Sequence, residues 1–383
     1  MLKSLFLGGF MRCDKMSSFI VMDIVREAKK YDDAVHFEIG QPDLPPSKNV
    51  KKALHVAVDE NRFSYTESHG LLELRELIAE DYLSRYGVHV DTNQIFLTPG
   101  TSGAFLIAYG LSLKAFAKLG LSDPSYPCYK NFAYLLDIEP VFMPIGKDGD
   151  YELHVEDLKP HKLDALQISS PANPTGNIYS EENLKELIEY CDSKNIAFIS
   201  DELYHGLTYE SEANSALEFS SNAFVINGFS KFYCMPGSRL GWIIVPKNKT
   251  REAEMIAQNL FISAPTLSQY GALKAFDKEY LDEVKEEFKK RRDYLFTELS
   301  KMFEIDAKPQ GAFYIWADVS KYTFDSFEFA QELLKEIHVA TTPGIDFGLN
   351  GTKKYLRFAY TREIEHMSEG IERLKKYLKI GQP

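Results

Sequence analysis

The chain is poor in the residues that build disulfide scaffolds and metal centres. Its four cysteines, Cys13, Cys128, Cys191 and Cys234, are far apart and form no CxxC pair, and its nine histidines form no HExxH. A stapled secreted framework and a zinc site of familiar spacing are thereby excluded, no metal is expected, and a reducing cytoplasm fits the thiol usage best. Positive charge is also in deficit: 56 acidic residues against 44 basic ones leave a net charge of -12. Nucleic-acid binding rests on clustered Lys and Arg, so no nucleic-acid partner is expected. The densest basic runs, Lys29-Lys30 and Lys289-Lys290-Arg291-Arg292, stand among acidic neighbours and read as solvated helix faces. No apolar run approaches the ~20 residues that cross a bilayer, so no membrane partner is expected either. The N-terminal Leu5 to Phe10 has the look of a stunted signal core, but Arg12, Asp14 and Lys15 follow where a cleavage site should lie. It reads as a flexible arm, or as an upstream start before Met11 or Met16.

What is present is ordinary globular composition at a length of 383 residues, beyond the size at which one hydrophobic core keeps growing. Between about residues 47 and 245, helical and strand-like segments alternate. Leu71, Leu74, Leu77, Ile78 and Tyr82 recur at helical spacing, as do Leu184, Leu187, Ile188 and Cys191. Between such helices lie short apolar runs bounded by turn residues: 95–98, 166–169, 196–200, 223–227 and 240–245. Runs of this kind suit strands buried on both faces, and the alternation predicts an α/β fold with a mostly parallel, helix-covered sheet. From about 247 to 300 the chain reads as helical and highly charged. A smaller α+β region follows, with strands expected at 313–316 and 355–360 and a closing helix over 363–378. The expected division is an N-terminal arm and part of the small domain over 1–47, a large domain over 48–285, and a small C-terminal domain over 286–383.

Three signatures are missing: GxGxxG after a strand, GxxxxGK[ST], and GxSxG. Dinucleotide binding, P-loop hydrolysis and the serine-hydrolase elbow lose their sequence support. Five other segments carry chemistry. Gly228-Phe229-Ser230-Lys231 follows an apolar strand, and a lysine desolvated at a strand end has a lowered pKa that favours imine formation. A second cation, Arg239, stands eight residues on, so an anionic cofactor could engage both. The strand from Ile196 ends in Asp201, with Tyr204 three residues later; alone, Asp201 could equally cap a helix. Ser170-Pro171-Ala172-Asn173-Pro174-Thr175-Gly176 follows another strand and by itself is a tight turn. Thr98-Pro99-Gly100-Thr101-Ser102-Gly103 leads from strand to helix and suits either a phosphate on free N–H groups or a plain N-cap. Asp123-Pro124-Ser125-Tyr126-Pro127 could set an aromatic ring at a strand end.

Taken in their order along the chain, the five segments resemble the class I/II aminotransferases, the pyridoxal-phosphate enzymes typified by aspartate aminotransferase. The likeness runs from Ile39-Gly40-Gln41-Pro42-Asp43, through Tyr65-Thr66 and Gln310-Gly311-Ala312-Phe313-Tyr314, to Tyr355-Leu356-Arg357. The resemblance implies that Lys231 holds pyridoxal 5'-phosphate as a Schiff base and then moves a proton as the free amine. It implies that Asp201 pairs with the pyridine nitrogen, that Tyr204 and Asn173 hydrogen-bond the ring's 3-oxygen, and that Tyr126 stacks on the ring. The phosphate is expected on Gly100, Thr101, Ser102, Ser230 and Arg239, with Tyr65 reaching in from a second subunit, so a homodimer with shared active sites is implied. Arg357 is expected to take the substrate α-carboxylate in a bidentate fork, with Gly40 and Asn173 beside it.

Three positions depart from the family pattern: Gly228 where Ser or Thr often binds phosphate, Cys234 where a different small or aliphatic residue is usual, and Ser238 before the phosphate arginine. The implied activity moves an amino group between an L-amino acid and a 2-keto acid, with aspartate and 2-oxoglutarate the default by family frequency. A β-lyase or decarboxylase of the same fold would use the same Lys231, Asp201 and Arg239, since the cofactor stabilises whichever carbanion the protein orients. A ligand-sensing module built on the fold is a third reading, opposed by the acidic charge. No second arginine can be assigned to a substrate side chain from the sequence.

Overall fold

The computed structural model describes residues 11–380, so the segment from Leu5 to Phe10 lies outside the described residues. In chain order the strands are β1 (Val35–His36), β2 (Ile95–Pro99), β3 (Lys118–Asp123), β4 (Glu139–Pro144), β5 (Ala165–Ser169), β6 (Ala197–Asp201), β7 (Phe224–Gly228), β8 (Leu240–Ile244), β9 (Tyr314–Asp318), β10 (Val339–Ala340), β11 (Thr342–Pro343) and β12 (Tyr355–Ala359). Seven of them form one sheet in the order β2-β8-β7-β6-β5-β3-β4. Only β8 runs against the rest, pairing antiparallel with both β2 and β7. The arrangement is the expected α/β one, a mostly parallel sheet covered by helices.

Successive residues of a strand point to opposite faces, and here both faces are buried. Phe198, Val225 and Trp242 pack on one side with Leu74, Ile78 and Tyr82 of the helix Leu72–Tyr86 and with Leu184, Leu187, Ile188 and Cys191 of the helix Glu181–Lys194. Ile199, Ile226 and Ile243 point the other way, onto Phe105, Ile107 and Tyr109 of the helix Gly100–Ser112. Two-sided burial is why these strands read as continuous apolar runs. The two strands without such runs, β3 (KLGLSD) and β4 (EPVFMP), escaped the sequence analysis. β4 pairs only with β3 and forms the sheet edge, where prolines cost no ladder bond.

A second core gathers around the antiparallel sheet β11-β12-β9. The N-terminal segment joins it, because β1 pairs in parallel with β10 and Phe37 packs against Phe358. The helix Lys278–Leu299 runs unbroken past residue 285; its Leu281 belongs to the first core and its Val284, Phe288, Leu295 and Leu299 to the second. This helix corrects one expectation. Lys289-Lys290-Arg291-Arg292 is not a wholly solvated face: Arg291 and Arg292 are 2% and 0% exposed. Arg291 donates to Asp43 at 2.7 Å and to Glu287 at 2.8 Å, and Arg292 to Glu210 at 2.5 and 2.6 Å. Asp43 and Glu210 come from distant segments, so the local charge pattern does not announce those two pairings.

One contact fixes where the helix Gly100–Ser112 begins. A Cβ on Gly241 in β8 would stand 2.9 Å from Gly100 C and Thr101 N and 3.0 Å from Asn227 O, all backbone atoms that cannot swing aside. Gly241→Ala is therefore expected to lower stability by about 1–3 kcal/mol, read as a lower denaturant midpoint. Gly146→Ala, at a position with nothing within 4 Å of the added carbon, should leave the midpoint unchanged.

Candidate active site

The chemistry-bearing residues sit at one end of the seven-stranded sheet. β2 ends at Pro99 before Gly100, β3 at Asp123 before Tyr126, β5 at Ser169 before Asn173, and β6 at Asp201 itself. β7 ends at Gly228, just ahead of Ser230 and Lys231, while antiparallel β8 begins directly after Arg239. The carboxyl ends of parallel strands thus converge on one cavity, as in other open α/β sheets. It has a volume of about 670 Å³. Its walls include Gly40, Thr101, Ser102, Tyr126, Asn173 and Asp201, and also Tyr204, Ser230, Lys231, Arg239 and Arg357. Gly100 lies just behind the wall: its φ is +68°, and a Cβ there would meet Arg239 Nη2 at 2.5 Å. Only glycine therefore lets the guanidinium lie against the N-terminus of that helix. Tyr65 is not brought into the cavity of its own chain and is 77% exposed.

Lys231 is half-buried, and its Nζ donates to the Gly40 carbonyl at 2.6 Å. Burial, reinforced by Arg357 and Arg239, pulls its pKa down to about 8, with Asp201 acting in the opposite direction. Asp201 is 4% exposed. Burial pushes its carboxyl up to about 6, against hydrogen bonds from Tyr129 Oη and the Leu203 N–H and against the charge of Lys231. Tyr204 Oη lies 2.8 Å from Tyr314 Oη, and burial, then Tyr314, holds its pKa well above the ordinary phenol value.

Arg357, 3% exposed, is held by neutral oxygens. Nη1 donates to Asn173 Oδ1 at 2.9 Å, and Nη2 to the Glu38 carbonyl at 2.7 Å and to Thr342 Oγ1 at 3.3 Å. Its Nε is buried with no partner, and its guanidinium carbon lies 4.2 Å from the ring centre of Tyr314 and 4.8 Å from that of Phe347. A buried cation with an unspent donor is matched to a carboxylate. Among the described residues the cavity thus carries three cationic side chains against one carboxylate, an arrangement suited to a ligand with several negative charges. Among the described residues, no group of His, Cys, Asp and Glu is placed to hold a metal.

Gly228 has a structural reason to lack a side chain. A Cβ there would lie 3.1 Å from Thr101 Cγ2 and 3.2 Å from Gly241 Cα, under the loop that starts the helix. Sequence reasoning missed Tyr129, which bonds Asp201, and Tyr314, which bonds Tyr204. It also missed the stretch Phe19, Val21, Met22 and Val25, which forms one wall. Tyr314 stood in a segment that carried the family likeness, so that signal was available; for Tyr129 and the N-terminal helix none was.

The family profile described as aminotransferase class I and II matches residues 32–374. A (5-formylfuran-3-yl)methyl phosphate transaminase of Methanocaldococcus jannaschii is 38% identical, covering 94% of this chain and 97% of that one. A valine–pyruvate aminotransferase of Mycobacterium tuberculosis is 34% identical, covering 94% and 96%. The crystal structure of an aminotransferase from Mycobacterium tuberculosis superposes with a TM-score of 0.93 at 34% identity, covering 97% of this chain and 99% of that one. The chain belongs to the class I and II aminotransferases, a family of pyridoxal-phosphate-dependent transaminases.

Proposed function

We propose that the cavity binds pyridoxal 5'-phosphate and moves an amino group from an L-amino acid to a 2-keto acid. The observation that carries this reading is the meeting, in one cavity, of a lysine lowered to about 8, a buried carboxylate at a strand end and a buried arginine without a carboxylate partner. When bound, the cofactor supplies an electron sink for the pair left at the donor's α-carbon. Lys231 Nζ holds the cofactor, and as the free amine takes the proton from the α-carbon. Asp201 keeps the pyridine nitrogen protonated; a buried carboxylate raised to about 6 gains most from such a cationic partner. Tyr204 Oη and the amide of Asn173 would hold the ring's 3-oxygen, and Tyr126 would cover the ring.

The N–H groups of Gly100, Thr101 and Ser102, the Ser230 hydroxyl and Arg239 hold the phosphate at the helix N-terminus. The partner subunit's Tyr65 completes that shell in a homodimer; the 77% exposure of this ring and the 61% exposure of Phe63 support such a cover. Arg357 takes the α-carboxylate, with Gly40 and Asn173 alongside. Residues 48–285 are proposed as the large domain, and residues 1–47 with 286–383 as the small one, whose closure would exclude water. Aspartate with 2-oxoglutarate is the default pair by family frequency alone.

The test adds single amino acids to the holoprotein without keto acid. The cofactor's long-wavelength absorption band should bleach with a true donor and return when a keto acid is added. Keto acid appearing together with free ammonia, and no transfer to an acceptor, would instead identify the β-lyase reading. Lys231→Ala should lower kcat by about 10²–10⁴ or more, and a variant at wild-type rate would sink the assignment. Arg357→Lys loses the planar fork and should raise KM for the amino acid about ten- to a hundredfold, with the absorption band intact.

Covalent attachment of pyridoxal phosphate to the apoprotein should depend on pH through Lys231. Only the unprotonated amine attacks, so the rate should rise with pH and reach half its plateau near 8, the value to which burial lowers this lysine. Asp201 raises that pKa, so Asp201→Asn should move the midpoint lower. A midpoint near that of an ordinary lysine would contradict the desolvated site.

A further inference from the structure

The helix Ile20–Ala28 has two apolar sides, and the core uses only one. Ile24 and Ala28 pack on Ala34, Leu334 and Ala340. Phe19, Val21, Met22 and Val25 line the cavity instead. The helix start is pinned in place: Asp346, itself 3% exposed, accepts from the N–H groups of Ile20 and Val21 at 3.2 Å each. Phe19 meets the ring of Tyr126 edge-on, with centroids 6.0 Å apart. Phe132 continues the same wall from the helix Cys128–Leu135.

The cations facing the cavity are Lys231, Arg239 and Arg357 among the described residues. All three have work in the reading above, at the imine, the phosphate and the α-carboxylate. None of these three is left for a second carboxylate on the donor. Of the cations near this helix, Arg26 pairs with Asp23 at 3.2 Å and Arg12 with Asp137 at 2.6 Å, and Lys130, in charge range of Asp346, stands outside the cavity wall. A carboxylate brought against an apolar wall without a cation loses its hydration uncompensated, whereas a branched or aromatic side chain gains by leaving water.

We propose that the preferred donor carries an apolar side chain, seated against Phe19, Met22 and Val25 of the N-terminal helix and against Phe132. The proposal rests on the aminotransferase reading of the cavity, and it displaces aspartate as the default donor.

Two measurements on the holoprotein test it separately from that reading. The first is calorimetric binding of two unreactive acids, 4-methylpentanoate and succinate, which mimic an apolar and a dicarboxylic donor. The second follows the cofactor's absorption band in single turnovers with L-leucine, L-phenylalanine and L-aspartate. The apolar acid and the better apolar donor should each be favoured about tenfold or more over the dicarboxylic one. Equal or tighter binding of succinate, or faster conversion of aspartate, overturns the proposal and leaves the aminotransferase reading standing. If no amino acid is converted, that reading fails, and the wall's preference is judged by the two acids alone. Met22→Arg and Val25→Arg place a cation on the wall and should move the binding ratio toward succinate by about fivefold or more. An unchanged ratio in both variants, at an unaltered unfolding midpoint, overturns the placement of the side chain on this helix.

Discussion

A guanidinium removed from water without a carboxylate beside it is the constraint on which the site depends. Arg357 meets only neutral acceptors, the Asn173 amide oxygen, the Glu38 carbonyl and the Thr342 hydroxyl, between the faces of Tyr314 and Phe347. Such contacts orient the charge and offset part of its desolvation, but they do not neutralise it. The surplus field has two consequences. It lowers the affinity of Lys231 for its proton, in concert with burial, and it leaves the cavity complementary to anions. Asp201 is the one opposing charge on the wall among the described residues, and burial raises its own pKa. These shifts have one origin, the confinement of like charges in a space that water reaches poorly.

Holding that arrangement requires a rigid frame, and the two-sided sheet supplies it. Strands buried on both faces cannot slip register without exposing one apolar set or burying another. The ends of β2, β5, β6 and β7 are therefore fixed relative to one another, and so are the residues that follow them. Close packing carries the same constraint into the loops. Gly100, Gly228 and Gly241 let backbone, Thr101 and Arg239 approach at distances that a Cβ would block. The small residues around the loop starting at Pro99 are thus explained by contact distance as much as by chain flexibility.

The legible parts of the fold share a physical cause. The strands β2, β5, β6, β7 and β8 could be read because each is short, continuous and apolar. The helices Leu72–Tyr86 and Glu181–Lys194 could be read because each buries one side. The edge strand β4 was invisible, since a strand covered on few sides carries mixed residues and tolerates proline. The buried pair Arg291 and Arg292 was misread because its partners Asp43 and Glu210 lie 248 and 82 residues away. In the site, motif residues adjoining a strand end were legible, whereas Tyr129 and the N-terminal wall were not. Tyr129 touches Asp201 across 72 residues, and the helix Ile20–Ala28 shows only an amphipathic pattern common to many helices.

The fold class, the family likeness and the identities of the chemical groups are written into the chain, because local patterning and strand-end motifs record which side chains are buried and which follow a strand. The tertiary structure alone decided how those groups act on one another. Burial beside Arg357 and Arg239 sets the proton affinity of Lys231, and Asp346 sets the helix that turns Met22 and Val25 toward the cavity. Desolvation and charge coupling depend on distances through space, and spacing along the chain does not specify those distances.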